Sequence, residues 1–198
     1  YPEGGVVTFG YKTAQEYKVG SDLANSHVPF PLDTLFSTQL DAGVGVVAST
    51  SYFYEAGRYS YTDVFNKQFA GFGTVTKIDD AGNRTKSLFH QGDTTNSTKG
   101  EYADSAAKIG KAYRTETYDS ANNLYAKSIT KWDSADLGQG RTFVNLAQQV
   151  DSAYDGDSDH ADKATSYSYS TTTGNTTLAK SWGEVTGADD GTFSDIGS

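Results

Sequence analysis

The 198-residue sequence contains no cysteine and no methionine. Without thiols there are no disulfides, no thiol catalysis and no thiolate zinc sites. A secreted chain is still allowed, since such chains also exist without cysteine. With no methionine even at position 1, Tyr1 is not an ordinary translation start, which points to a processed product or a piece of a longer chain. Any leader would have been lost upstream. Long apolar runs are missing too. No stretch reaches the roughly 18 apolar residues that a spanning helix needs, so a helical membrane span is excluded. Leu, Ile, Val and Phe together number 35, under the roughly 20% of a chain below which disorder becomes a concern. Positive charge is short as well: 16 basic residues face 25 acidic ones, a net charge of -9. Nucleic acid is therefore not an expected partner, because phosphate contacts need clustered Lys and Arg.

What the chain does have is aromatic and glycine residues: 14 Tyr, 10 Phe and 21 Gly. Disordered chains are poor in aromatics. Few aliphatics, many aromatics and frequent turn residues fit an all-β protein whose core is built from Tyr and Phe.

A period of two dominates. Thr74-Val75-Thr76-Lys77-Ile78 and residues 84–89 read as strands around the turn Asp79-Asp80-Ala81-Gly82-Asn83, where Gly and Asn accept positive φ. Residues 113–118 and 124–132 flank Asp119-Ser120-Ala121-Asn122-Asn123 in the same way. In the second of these strands Leu124, Ala126, Ser128, Thr130 and Trp132 share one face; Tyr125, Lys127, Ile129 and Lys131 share the other. Residues 165–170 and 176–182 flank Thr172-Thr173-Gly174-Asn175. A looser copy runs over 44–54, turns at Glu55-Ala56-Gly57 and returns over 58–61. Hairpins of one design, none able to bury a face alone, imply stacking on neighbours in a twisted or spiral sheet. Residues 92–100, 133–140 and 151–162 are expected as polar loops, the first of them mobile, and 102–109 as two helical turns. Two regions follow: an extended, proline-fixed connector over 1–43, and one continuous hairpin-repeat unit over 44–198.

The segment Tyr118-Asp119-Ser120-Ala121-Asn122-Asn123-Leu124-Tyr125 resembles the tyrosine-aspartate (YD) repeat of the RHS, or rearrangement hotspot, proteins. Asp80-Ala81-Gly82-Asn83-Arg84-Thr85 resembles the turn of that repeat. Phe69-Ala70-Gly71-Phe72-Gly73-Thr74-Val75-Thr76, then Leu88-Phe89-His90-Gln91-Gly92, with Tyr52-Phe53-Tyr54 and Asp63-Val64-Phe65-Asn66 upstream, is similar to the start of the repeat shell in large secreted RHS proteins, including toxin-complex B components. Ser181-Trp182-Gly183-Glu184-Val185-Thr186-Gly187 is similar to such sequences as well. The resemblance covers roughly residues 44–198. It implies a strip of antiparallel sheet that spirals into a hollow shell around a separate toxin or effector segment. Asn122-Asn123 stands where the repeat has Gly-Arg, and the self-cleavage motif and toxin domain of the family are not in this chain. The implied role is a shell segment rather than a whole capsule: non-enzymatic, extracellular or at the cell surface, with other segments of a parent chain or identical subunits as partners.

Candidate chemistry is sparse. The acidic run Asp155, Asp157, Asp159 and Asp162 offers hard oxygens at a spacing that suits calcium. It departs from the EF-hand loop, with His160 at the sixth position and Ser166 at the twelfth. The alternative is a solvated acidic turn. No catalytic residue and no organic cofactor is expected. His27, His90 and His160 have no helical i, i+4 partner, and His90 reads as a structural residue at a strand end, with no carboxylate next to it in sequence. Tyr52, Tyr54, Tyr59, Tyr61, Tyr167 and Tyr169 alternate along strands. Such rows serve either cross-strand packing or stacking on surface glycans. Asn83, Asn96 and Asn175 begin glycosylation sequons, all in expected turns or loops. The rival functions are a self-assembling fibre subunit joined by strand addition, a carbohydrate-binding β-module and, least supported, a fragment of a glycoside hydrolase.

Overall fold

The computed structural model describes residues 4–43, 47–61, 65 and 67–196. Among the described residues thirteen strands make up nearly all of the regular structure: β1 (Val6–Thr13), β2 (Lys18–Val19), β3 (Asp22–Leu23), β4 (Asp33–Asp41), β5 (Val47–Tyr61), β6 (Lys67–Asp79), β7 (Arg84–Phe89), β8 (Ala112–Tyr118), β9 (Leu124–Asp136), β10 (Thr142–Tyr154), β11 (His160–Tyr169), β12 (Thr176–Gly187) and β13 (Phe193–Asp195). Pairing between strands is antiparallel. A lone parallel bridge joins His27 to Arg58. The fold is all-β, as the composition and the period-two pattern imply.

The chain divides into two compact units, Tyr1–Lys86 with Tyr118–Asn122, and Ser87–Thr117 with Asn123–Ser198. In the first unit the strand order is β1-β4-β5-β6-β7, with β2 and β3 as a separate small ribbon. The expected strands at 74–78 and 84–89 lie in β6 and β7, joined by the Asp79–Asn83 turn. There the Asp79 amide donates to the Asn83 carbonyl (3.0 Å) and Gly82 takes a positive φ of 86°.

Two expectations for this unit need correction. Residues 6–41 are not a mere connector but contain β1 to β4. Glu55-Ala56-Gly57 is not a turn: β5 runs straight through it, with a register shift between Gly57 and Tyr59 and Ala56 at φ 53°. The reason is tertiary. Asn25, 1% exposed, accepts from the Gly57 amide (2.8 Å) and donates to the carbonyls of Tyr54 (2.9 Å) and Ala14 (3.0 Å). Residues 14–32 thereby lie over the strand and cover it. Val44, and Asp63, Val64 and Asn66 of Asp63-Val64-Phe65-Asn66, lie outside the described residues.

The core of this unit is aromatic. Tyr17 is fully buried, edge-on to Phe53 (5.3 Å) and Tyr54 (5.6 Å). Its hydroxyl meets Thr34 Oγ1 at 2.8 Å, while Thr34 donates to the Lys12 carbonyl. Burial pushes the Tyr17 phenol pKa up, against that hydrogen bond. Phe30, Tyr59, Phe69 and Phe72 form a further set of edge-on pairs, joined to Tyr54 through a tilted Tyr54–Phe72 contact. Aromatic pairs in these geometries add stabilisation beyond the area they bury, which is how a chain with few aliphatics builds a core.

In the second unit the strand order is β8-β9-β10-β11-β12-β13. The 133–140 and 151–162 segments are shorter as loops than expected. β9 continues to Asp136, β10 to Tyr154, and β11 begins at His160. Polar residues on the exposed side of a strand read like a loop in one dimension. One face of this sheet is buried in two rows. Ile129, Val150 and Ala164 align across β9, β10 and β11. Lys127, Ser152, Asp162 and Val185 align one step further along. The partition of faces along β9 is as read from sequence, and the covered face is that of Lys127 and Ile129. The 102–109 segment forms only one 3-10 turn, Ala106–Lys108, and 92–100 holds another, Ser97–Lys99.

Candidate functional site

The segment between β7 and β8 is organised by two carboxylates. Asp104 Oδ2 accepts from the amides of Gln91 (3.2 Å), Gly92 (2.7 Å) and Thr94 (3.0 Å) and from the Thr94 hydroxyl (3.1 Å). Its Oδ1 accepts from the Ser105 amide at 2.8 Å. Glu101 Oε1 accepts from the Thr94 hydroxyl (2.8 Å), and Oε2 from the Asn96 amide (2.6 Å). A carboxylate that accepts several backbone N–H bonds fixes a loop as a strand ladder would. This corrects the expectation of a mobile polar loop at 92–100.

Both carboxylates face His90. Nδ1 of His90 lies 3.0 Å from Asp104 Oδ1 and 3.4 Å from Glu101 Oε1, with all three side chains at most 1% exposed. The absence of a sequence neighbour with a carboxylate was therefore no guide: the partners come from 11 and 14 residues away, returned by the loop. The imidazole packs on Tyr113, ring centroids 5.2 Å apart. Burial, with Glu101 and Asp104 nearby and Arg114 opposing, pushes the Tyr113 phenol pKa up to about 12. Lys108 is 1% exposed, and its ammonium donates to the carbonyls of Tyr102 (3.0 Å) and Ala103 (2.7 Å). Burial lowers the pKa of that ammonium, against the pull of Asp133 and Asp104.

Glu101 also borders a cleft of about 590 Å³ in the second unit, with Tyr102, Lys131, Trp182, Asp190 and Phe193 in its wall. Lys131 Nζ stands 3.8 Å over the Tyr102 ring, and Trp182 meets Phe193 edge-on at 5.4 Å. Nearby, Arg114 grips Glu116 Oε1 through Nε and Nη2, both at 2.7 Å. Its Nη1 donates to the Asp189 carbonyl (3.1 Å), and Asp189 Oδ1 accepts from Lys127 Nζ at 2.7 Å.

The acidic run is not gathered. Asp155, Asp157 and Asp159 stand exposed at the β10–β11 turn. Asp162 sits inside β11, 3% exposed, where it meets His160 Nδ1 (2.7 Å) and accepts from the Gly187 amide (2.7 Å). Burial raises its pKa, and bonds from Ser152, Gly187 and His160 outweigh this, so the carboxyl is held below its ordinary value. Its oxygens are committed to the sheet rather than to the turn. Among the described residues the three-ligand group of His and carboxylates is instead His90, Glu101 and Asp104. Tyr52, Tyr54, Tyr59, Tyr167 and Tyr169 are half-buried, with Tyr54 and Tyr59 in the aromatic core and Tyr169 edge-on to Phe143; Tyr61 is exposed beneath Lys67. Asn83, Asn96 and Asn175 are all exposed at turns. Asn83 Nδ2 donates to Asp79 Oδ2 at 2.9 Å.

No family model and no curated protein matches the sequence. Among solved structures the chain is similar to one titled "Crystal Structure of TcdB2-TccC3 without hypervariable C-terminal region", at a TM-score of 0.67 and 16% identity. The match covers 83% of this chain and 11% of that one, so this chain spans about a tenth of its neighbour's length. At this identity the likeness shows the fold: an antiparallel β architecture shared with a segment of a much longer chain.

Proposed function

We propose that the chain is a non-enzymatic structural segment of a larger secreted RHS-type β-shell, of the kind associated with toxin delivery. The observation that carries this reading is the fold likeness over 83% of the chain to part of TcdB2-TccC3. It agrees with the YD-like turns at 79–83 and 119–123, found independently in the sequence. The edge of the first unit agrees as well. β1 is terminal in its strand order, and Val7, Phe9 and Tyr11, which share a face, are 42%, 55% and 67% exposed. An apolar edge strand of this kind is ordinarily covered, and a neighbouring segment of a parent shell is the natural cover. Among the described residues no helix is long and apolar enough to cross a membrane.

The test is negative-stain electron microscopy of the parent polypeptide. Hollow closed particles are expected. Filaments built from identical copies would replace this reading with the fibre subunit. A compact monomer that binds glycans through its tyrosine faces would replace it with a carbohydrate-binding module.

A further inference from the structure

We infer that His90, Glu101 and Asp104 form a site for a divalent first-row transition metal ion, with zinc as the best fit, that locks the loop between β7 and β8 onto the sheet. Four observations carry it. The first is orientation: His90 is fully buried, yet neither of its ring nitrogens makes an aligned hydrogen bond. Nδ1 lies within 3.4 Å of two carboxylate oxygens but is directed along neither. A proton on Nδ1 serving an ion pair would point at one of them. Two carboxylates held this close to one buried ring nitrogen, with no aligned hydrogen bond between them, are the arrangement that a bound cation would use.

The second is spacing. Zinc holds nitrogen and oxygen at about 2.0–2.2 Å, which places tetrahedral ligands roughly 3.3–3.5 Å apart. The observed 3.0 and 3.4 Å are close to that edge, and the ligand atoms all lie within 4.8 Å of one another. Loop adjustment of a few tenths of an ångström completes the geometry.

The third is charge. Two carboxylates buried to 1% or less converge on one imidazole nitrogen, and buried carboxylates call for a positive partner. The Lys108 ammonium donates to the carbonyls of Tyr102 and Ala103. A divalent cation would supply positive charge where the two carboxylates meet.

The fourth is the surrounding shell. The amides of Gln91, Gly92, Thr94, Asn96 and Ser105 and the Thr94 hydroxyl orient both carboxylates, as outer-shell donors do around metal-ligating groups. Glu101 is also part of the wall of the cleft, so the group borders it on the Glu101 side. One imidazole with two carboxylates suits zinc better than calcium, which takes six to eight oxygens. With Nδ1 on the metal, Nε2 retains the ring proton.

The whole chain, stripped with a chelator and dialysed, is titrated with zinc chloride or cobalt(II) chloride. One equivalent is expected to bind, with visible cobalt absorption of four-coordinate strength. At zinc concentrations about 100-fold above Kd, Tm should rise by about 5–10 °C. Glu101→Gln and His90→Gln should each lose at least 10-fold in affinity and most of that rise, whereas His160→Asn should behave as the parent. Because the readout is the difference with and without zinc, a weakened but folded variant still reports. Should a variant fail to fold, imidazole NMR of the unaltered chain decides: zinc must move the His90 resonances and leave those of His27 and His160. No binding, binding indifferent to both substitutions, or a shift confined to the other histidines would overturn the site.

Discussion

Asn25 shows how much one neutral side chain settles in this protein. Its amide satisfies three backbone groups, Gly57 N–H and the carbonyls of Tyr54 and Ala14, in a position 1% exposed. Removing it strands those groups away from water, and each buried polar group left unpaired costs about 1–3 kcal/mol. Asn25→Ala is therefore expected to lose about 3 kcal/mol or more, a fall in Tm of roughly 6–12 °C for a chain of this size. Thermal unfolding followed by circular dichroism measures it. A loss under about 1 kcal/mol would mean that water takes over the amide's role. Nothing in the sequence marks Asn25, because its partners lie 11, 29 and 32 residues away. The same holds for His90. Its chemistry depends on carboxylates that a loop brings back, and the spacing 90, 101, 104 matches no short motif. The Asp155–Asp162 run drew notice because its residues are close in sequence, yet strand alternation turned Asp162 into the sheet.

At the scale of elements, the 188–192 turn is fastened to β8 and β9 by charge. Asp189 takes Lys127, and its carbonyl takes Arg114. The Lys127 hydrogen bond is the main reason that the Asp189 carboxyl sits below its ordinary pKa, helped by the charges of Lys127, Arg114 and Lys99 against partial burial. A depressed folded-state pKa contributes stability above the unfolded carboxylate value, near 3.9, and loses it as pH falls through the folded value. Lys127 is 5% exposed but Asp189 is 68% exposed, so the pair is half wet and its worth is discounted to about 0.5–1 kcal/mol. Asp189→Asn should thus lower Tm by about 1–4 °C at pH 7, and the gap should narrow steadily as pH falls below the unfolded carboxylate value. A gap that does not change with falling pH would assign the effect to packing instead of charge.

Hairpin turns were the legible elements, for a local reason. Asp79-Asp80-Ala81-Gly82-Asn83 and Asp119-Ser120-Ala121-Asn122-Asn123 place a positive-φ residue at the same offset, and both Gly82 and Asn122 donate their amides back to the leading Asp carbonyl. That information lies within five residues. Gly57 misled because its φ is not positive. It is small because a Cβ there would come within 2.6 Å of Val28 Cγ2 and 2.9 Å of Asn25 Oδ1, a tertiary requirement that imitates a turn signal. Residues 133–136 misled in the other direction, since polar side chains on the open side of β9 carry no local sign of strand.

At the scale of the molecule, the shortage of aliphatics is met by two devices: an aromatic core beneath residues 14–32 in the first unit, and two buried rows, one apolar and one largely polar, in the second. Neither device covers β1. Its exposed row of Val7, Phe9 and Tyr11 sits on a strand whose one strand partner, among the described residues, is β4. Open backbone groups and apolar side chains together form a template for another strand. The isolated chain is therefore expected to self-associate with rising concentration through this surface. Phe9→Lys places a charge in that row at a position already 55% exposed, so it should change stability by no more than about 0.5 kcal/mol while suppressing strand addition. Sedimentation velocity over a hundredfold concentration range is the measurement. The parent chain should shift to larger species and the variant should stay monomeric, with matching circular dichroism. Equal association by both would place the adhesive surface elsewhere and remove the β1 edge as support for the shell reading.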